Sequence, residues 1–97
     1  MVSLPVFTVK PPGKVFAATG DTLTLKCSAT GDPQPVISWK RNGAALPVGS
    51  DMTNEALIIR DLNEEDAGIY VCVATSAGVF VIEQISHVVA RTPRGRL

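Results

Sequence analysis

The sequence is poor in the residues that metal and cofactor sites need. Its 97 residues include one histidine and two cysteines, with no Cys-x-x-Cys pair. Zinc sites take three or four protein ligands, chiefly His and Cys, so no zinc arrangement can be assembled. The consecutive carboxylates of residues 64–66 project in different directions and lack the spacing of a calcium-binding loop. We therefore expect no metal ion and no other cofactor.

An excess of charge of either sign is also missing. Nine basic and nine acidic side chains give a formal net charge of zero, which removes the basic surface that nucleic-acid binding requires. No apolar run approaches the roughly 18 residues of a membrane span. Residues 1–5 lack the basic region and apolar core of a secretory signal. We expect no nucleic-acid partner and no membrane insertion within this sequence. We also expect that Met1 was added to an excised piece of a longer protein.

No catalytic arrangement is apparent around the titratable residues. His87, the single histidine, has no motif nearby that would orient it as the base of a serine nucleophile, and we expect it to be a solvated strand residue. Asp66 lies in a turn motif, where a structural cap is a better interpretation than a catalytic carboxylate. We therefore predict that the protein is not an enzyme.

What the sequence does contain is enough apolar material for one packed core. Hydrophobic residues make up 45% of the chain, and about one hundred residues is the size of a single domain. We predict one domain over residues 1–91 and a linker or tail over residues 92–97, whose arginines are expected to be solvated. Short segments separated by Gly, Pro, Asn and Asp clusters predict an all-β fold.

Alternation of apolar and polar residues locates the strands and their inward faces. The positions predicted to face the core are Leu23, Leu25, Cys27 and Ala29, then Ile37 and Trp39, then Leu57 and Ile59, and finally Tyr70, Cys72 and Ala74. Residues 44–54 are predicted to form a tight connection with at most one short strand. The last strand, residues 79–90, is expected to contain a bulge, because polar residues fall on both of its alternations.

The two cysteines allow a single pairing. In a β domain with one core, a disulfide between Cys27 and Cys72, buried between the sheets with Trp39 packed on it, is the favoured interpretation. On the chain-entropy model it would stabilise the fold by roughly 4 kcal/mol. The alternative is a pair of reduced buried thiols, as a cytosolic domain would hold.

The order Cys, Trp, Tyr-x-Cys on short alternating segments is typical of an immunoglobulin-like sandwich. The motifs Gly31-Asp32-Pro33, Asn42-Gly43 and Asp66-Ala67-Gly68-x-Tyr70-x-Cys72 stand at family spacing. The chain therefore resembles an immunoglobulin-superfamily domain, most like the I-set and next the C2 set. The resemblance implies a Greek-key sandwich of two antiparallel sheets, in which Tyr70 is a tyrosine corner whose hydroxyl ties the turn before the sixth strand.

Three features depart from that family pattern. Residues 50–55 lack the arginine that often pairs with the aspartate matching Asp66, so we do not expect that ion pair. Ser76 stands where the family often has asparagine, and we expect the loop to lose a side-chain clasp. The chain between Trp39 and Leu57 is short for an I-set domain, so strands of that region are expected to be abbreviated or missing.

One surface is predicted to be unusually apolar. β-branched residues would stand in line on the outward side of the last two strands, where exposed apolar surface commonly marks an interaction site. This candidate interaction face consists of Ile69, Val71, Val73, Val79 and Val81, with Ile85 beside them. The competing interpretation is that β-branched residues suit any strand and are covered by neighbouring loops.

Three functions remain open from the sequence. The favoured one is an extracellular interaction and spacer module of a multidomain adhesion, receptor or matrix protein, as the resemblance implies. Its partners would be neighbouring immunoglobulin-like domains in the same chain, or a second copy in weak homophilic contact. The alternatives are an intracellular, muscle-type structural module with reduced cysteines, and an autonomous soluble ligand or decoy.

Overall fold

The computed structural model describes residues 3–92, and nearly all of its regular structure is β. A 310 turn, Glu64–Asp66, precedes the eighth strand. In chain order the strands of the described residues are β1 Ser3–Val9, β2 Lys14–Ala18, β3 Leu23–Lys26, β4 Ser28–Asp32, β5 Val36–Arg41, β6 Asp51–Thr53, β7 Ala56–Ile59, β8 Gly68–Ser76 and β9 Phe80–Arg91. Within these residues no helix is long and apolar enough to cross a membrane.

The strands form two layers that pack face to face. One layer is a four-stranded sheet with the order β2-β9-β8-β5. The other contains the sheet β3-β7-β6 and the pair β1-β4, which belong together because only Cys27 separates β3 from β4. The predicted all-β sandwich of two sheets is therefore confirmed.

The chain changes layers near its start. β1 pairs with β4 antiparallel, whereas β2 pairs with β9 parallel. The segment between them carries Pro11 and Pro12, which cannot donate to a β ladder. Gly13 then restores pairing, since its carbonyl accepts a 2.8 Å hydrogen bond from the backbone N–H of His87. The prolines therefore end one edge strand and let the next begin on the opposite sheet.

The core lies between the layers, as the alternation predicts. All of the inward positions named above are buried, and they form one cluster with two further residues. Leu62, beneath the turn that follows β7, and Val88, on β9, are the additions. Removing each valine, leucine or isoleucine side chain of this cluster from water contributes roughly 1.5–3 kcal/mol, so this cluster is the main favourable term in folding.

The connection between β5 and β7 holds one short strand. β6 has three residues, pairs with β7, and is joined to it by the two-residue turn of Asn54 and Glu55. Both turn residues have positive φ, 50° and 67°, as a type I′ turn requires. This tight hairpin explains how so short a segment still supplies a third strand to its sheet.

The last strand has no bulge, so that expectation was wrong. β9 pairs with β8 in unbroken register from Phe80 opposite Ser76 to Val88 opposite Gly68. Gln84 and Ser86 are therefore the polar residues that point inward. Ser86 is fully buried, and its Oγ donates a 2.6 Å hydrogen bond to the carbonyl of Pro12. The layer-changing segment thus satisfies the inward polar group without any irregularity in the ladder.

The two ends of the described chain lie at opposite poles of the sandwich. Ser3 pairs with Asp32, and the next carbonyl, that of Pro33, accepts a 2.6 Å hydrogen bond from Ser76 at the β8–β9 hairpin. Thr92 instead donates to a carboxylate of the 310 turn. Between these poles runs β9, whose twelve residues span about 36 Å at roughly 3.3 Å per residue.

Candidate interaction surfaces

The centre of the molecule is closed by the disulfide. Cys27 and Cys72 are bonded, which confirms the predicted pairing over the alternative of reduced thiols. Trp39 lies directly opposite Cys72 in the β5–β8 register. Its indole Nε1 donates a 3.2 Å hydrogen bond to the backbone carbonyl of Glu55. The side chains that link the two layers therefore leave no polar atom available for a ligand.

Polar groups of the turn before β8 also have hydrogen-bond partners. Asp66 closes a capping box, in which its Oδ2 accepts a 2.8 Å hydrogen bond from the N–H of Asn63. The Tyr70 hydroxyl, which is buried, donates a 2.6 Å hydrogen bond to the Asp66 carbonyl. Burial raises the pKa of Tyr70; the nearby Arg41 guanidinium opposes this shift and the Asp66 carboxylate adds to it. These contacts are the ones expected for the structural roles predicted for Asp66 and Tyr70.

Sequence reasoning missed the arginine that supports this turn. Arg41, at the end of β5, donates hydrogen bonds from Nη2 to the carbonyls of Glu65 and Ala67, the latter at 2.8 Å. Its guanidinium also lies 5.6 Å from the centre of the Tyr70 ring. Residues 50–55 lack an arginine, as noted, but a cation from another strand takes over the support of the turn. Only pairing of β5 with β8 brings Arg41 there, so local spacing gave no signal.

The expectation of a lost clasp at Ser76 was also wrong. Ser76 is fully buried, and its hydroxyl makes the hydrogen bond to Pro33 described above. The contact joins the β8–β9 hairpin to the loop that precedes β5. The serine hydroxyl therefore supplies a side-chain hydrogen bond for this loop.

The candidate interaction face is only partly exposed. Val71 is 5% exposed, so the expectation that it stands in solvent was wrong. Lys40 on β5 lies opposite Val71, and Glu83 on β9 lies opposite Val73. Their ion pair, 3.0 Å from Nζ to Oε2, therefore crosses above β8 and covers the valine. Ile69 and Val73 are half-buried in the same row.

Apolar exposure on this face is instead found on the strands that flank β8. Val81 and Ile85 on β9 are 54% and 55% exposed, and Val36 on β5 is also exposed. Val79 is exposed too, but it lies in the β8–β9 hairpin loop. We call the exposed residues that surround the Lys40–Glu83 ion pair the outer face; they are Val36, Val81 and Ile85. A role in binding stays a prediction for these residues and for the rest of the set.

The described residues contain few groups that could perform chemistry. No cluster of three or more His, Cys, Asp or Glu side chains within residues 3–92 could hold a metal ion. His87 is exposed on the outside of β9, between Ile69 and Lys14 on the flanking strands. A cleft beside residues 45–49 contains Arg41 and Arg60, but Arg41 supports the turn and Arg60 pairs with Asp51. The predicted tail lies outside the described residues from position 93 onward.

Comparisons with known proteins agree with this architecture. A family model described as immunoglobulin domain matches residues 5–76. Protein turtle homolog A of Homo sapiens is 37% identical over 94 residues, which cover 88% of this chain and 8% of that protein. The basement membrane-specific heparan sulfate proteoglycan core protein of Mus musculus is 40% identical over 81 residues, covering 76% of this chain and 2% of that protein.

A solved structure gives the same result at the level of the fold. Drosophila OTK, extracellular domains 3–5, matches with a TM-score of 0.83 and 26% sequence identity, covering 94% of this chain and 33% of that one. The chain therefore spans a third or less of each of these three proteins. The subtype, I-set or C2 set, stays a prediction.

Proposed function

The chain belongs to the immunoglobulin domain family, and from this premise we propose that it is a non-catalytic interaction and spacer module of a larger extracellular protein. The proposed parent is an adhesion, receptor or matrix protein. The proposed module comprises residues 1–91, with residues 92–97 as its linker or tail. Its work is to bind other protein domains and to hold them apart.

The observation that carries this proposal is the position of the chain ends at opposite poles. A domain whose ends lie side by side can be inserted into a loop of another domain. A domain that is entered at one pole and left at the other adds its own length to a series. Here that length is the approximate span of β9, whose twelve residues reach about 36 Å.

An extracellular location is supported by the chemistry of the core. Disulfides persist in oxidising compartments and are rare in the cytosol, and the Cys27–Cys72 bond is the covalent link of the two layers. Two of the relatives carry the location in their names, one as basement membrane-specific and one as extracellular domains. The Cys27–Cys72 bond disfavours the intracellular module, which would hold reduced thiols.

Absence of catalysis is part of the proposal. Among the described residues, no buried side-chain nitrogen or oxygen lacks a hydrogen-bond partner; Trp39 bonds to Glu55, Tyr70 to Asp66, and Ser86 to Pro12. A nucleophile or general base must instead be within reach of a substrate. An assay of the purified domain for hydrolase activity on ester and peptide substrates is expected to give the buffer rate.

The proposed partners are neighbouring immunoglobulin-like domains in the same chain, or a second copy in weak contact through the outer face. That face is balanced in charge at its centre, because Lys40 and Glu83 neutralise each other. Exposed Val81 and Ile85 lie on the same strand as Glu83. Two such faces could pack with apolar contact and no net repulsion.

Analytical ultracentrifugation tests the proposed self-contact. The parent is compared with Val81→Lys, and with Thr24→Lys as a control, since Thr24 is exposed on the opposite sheet. We expect concentration-dependent sedimentation that Val81→Lys abolishes and Thr24→Lys leaves intact. Monomer behaviour in all three proteins at millimolar concentration would contradict the homophilic part and leave neighbouring domains as the partners.

Small-angle scattering tests the spacer role separately. Two copies joined directly, residue 92 of one to residue 3 of the next, are expected to form an extended particle. Its maximum dimension should exceed that of one copy by about 36 Å or more, the span estimated for β9. A pair folded back to nearly the dimension of one domain would contradict the spacer proposal.

A further inference from the structure

β2 is the outermost strand of the four-stranded sheet, and its outer edge has no backbone partner among residues 3–92. Along a strand, the N–H and C=O groups of successive residues point alternately to the two sides. Gly13 accepts from the N–H of His87, and Thr19 donates to the carbonyl of Arg91, both on β9. With the parallel register between them, the odd-numbered residues of β2 therefore bond to β9.

The even-numbered residues consequently point away from the sheet. Lys14 and Phe16 direct their N–H and C=O groups to the free edge, and none of these groups has a hydrogen-bond partner on another element of residues 3–92. Ala18 does so too, but its carbonyl accepts from Asp21. A row of unpaired backbone groups of this kind is a template for one more strand.

Three other edge strands, β6, β1 and β5, are better protected than β2. Edge strands usually avoid pairing by being short, charged or interrupted by proline. β6 has only three residues, and its Asp51 pairs with Arg60. β1 contains Pro5, and β5 bridges at Arg41 to Ala44 in the following turn. β2, with the sequence Lys-Val-Phe-Ala-Ala, contains no proline and a single charge.

The side chains along this edge define what could bind to it. Phe16 is 62% exposed. The Lys14 Nζ lies 5.3 Å from the centre of its ring, and the Arg91 guanidinium lies 5.7 Å away. Neither cation is in an ion pair among the described residues, where the two ion pairs use Lys40 and Arg60 instead. The edge thus combines an exposed ring with two cations that form no ion pair within residues 3–92.

From this arrangement we propose that the β2 edge binds an extended, acidic segment of a partner protein as an additional strand. Backbone hydrogen bonds to Lys14 and Phe16 supply affinity, and alternate side chains supply specificity. Carboxylates on the outer side of the added strand meet Lys14 and Arg91, with an apolar residue between them against Phe16. This site is distinct from the outer face, and all of its residues lie within this one domain.

A second copy of the chain fits this edge poorly. Antiparallel pairing of two β2 strands centred on Phe16 would place Lys14 of one copy beside Ala18 of the other. Arg91 on β9 lies opposite Ala18 on β2. Lys14 of one copy would therefore approach Arg91 of the other. Like charges placed opposite one another destabilise a β pair, whereas an acidic strand would neutralise them.

The probe is the acetylated and amidated peptide Thr-Glu-Thr-Val-Thr-Glu-Thr, titrated into the isotope-labelled domain and followed by NMR. Its pattern is the same in both directions, so it fits a parallel or an antiparallel alignment. We expect saturable shifts at Lys14 and Phe16 and slowed exchange of their amide hydrogens. The matched control peptide has lysine in place of both glutamates, and it should produce neither effect.

Single strands bind weakly, so a fused version gives a second measurement. The same peptide is joined after Leu97 through a flexible Gly/Ser linker, which raises its effective concentration to about the millimolar range.

Lys14→Glu is expected to weaken binding of the free peptide by about threefold to tenfold. Lys26→Glu, the same change on the other sheet, should alter its affinity by less than about twofold.

Several results would overturn the proposal. One is an unprotected Phe16 amide in both the free-peptide and the fused experiment. Another is equal binding of the acidic and basic peptides. A third is protection of the Lys14 and Phe16 amides in a peptide-free dimer, which would make a second copy the occupant. None of these results bears on the spacer role, which the scattering experiment tests by itself.

Discussion

The closed centre of this molecule and its open β2 edge differ in how their polar groups are satisfied. In the core around the disulfide, three side-chain donors have acceptors: Trp39 bonds to Glu55, Tyr70 to Asp66 and Ser76 to Pro33. Along β2, the backbone groups of Lys14 and Phe16 have none within residues 3–92. The residues that carry the family resemblance lie in the closed centre. The proposed binding site lies instead on the β2 edge, where backbone groups remain unpaired.

Removing the disulfide should have the largest effect on this comparison. The Cys27→Ala and Cys72→Ala double variant is expected to lower the free energy of unfolding by about 4 kcal/mol, because the unfolded chain is no longer cross-linked. Urea unfolding monitored by Trp39 fluorescence measures it. The parent under reducing conditions is the matched control and should show a similar loss. A loss below about 1 kcal/mol would mean that the bond is not central to stability.

The turn before β8 is the next most sensitive point. Tyr70→Phe leaves the buried carbonyl of Asp66 without its 2.6 Å hydrogen bond, which is expected to cost about 1–3 kcal/mol. The same urea measurement reports it, with Phe7→Tyr as a hydroxyl change outside the turn. Equal stability of Tyr70→Phe and parent would contradict a structural role for the hydroxyl.

A smaller effect should appear at alkaline pH. Burial raises the pKa of Tyr70 above its usual value of 10.0, so the folded state holds its proton more tightly than the unfolded chain. This contribution is complete below the unfolded pKa and is lost as pH rises through the folded pKa. Unfolding free energies measured from about pH 9 to 11 should fall more steeply for the parent than for Tyr70→Phe.

Identical slopes for the two proteins would contradict the raised pKa. Tyr70 is the only tyrosine in the sequence, so ultraviolet absorbance of phenolate reports this group alone. Its ionisation in the folded domain should occur at a higher pH than in the chain unfolded by urea.

The smallest stability effects are expected on the edge. Lys14→Ala and Phe16→Val are each expected to change the free energy of unfolding by less than about 0.5 kcal/mol, because surface substitutions away from structural features rarely exceed this. Val15→Ala, on the same strand but half-buried against the core, is the contrasting variant and should cost more. A loss of 2 kcal/mol or more at Phe16 would show that the ring supports the fold.

Much of the closed centre could be predicted from the sequence, because it depends on short-range alternation and on one possible cysteine pair. Trp39, Leu57 and Tyr70 are buried where the period-two pattern puts them. Arg41 could not be predicted as the support of the turn, since its acceptors lie 24 and 26 residues away. Nor could the tie from Ser76 to Pro33, which are 43 residues apart.

The binding surfaces were harder to predict for a related reason. Exposure depends on what lies on the neighbouring strands, and Val71 is covered by an ion pair formed from two of them. The bulge expected in β9 was wrong because the acceptor for Ser86, the carbonyl of Pro12, is 74 residues away. An open edge is likewise a property of the sheet order, which no single segment encodes.

Amide hydrogen exchange of the free domain, followed residue by residue by NMR, tests the contrast between centre and edge most directly. The amides of Val15, Ala17 and Thr19 should be protected by their bonds to β9, as should that of Cys72 inside the sandwich. Those of Lys14 and Phe16 should exchange at rates close to those of an unstructured peptide. Protection of Lys14 and Phe16 as strong as that of Val15 and Ala17, in a monomer without ligand, would contradict the open edge.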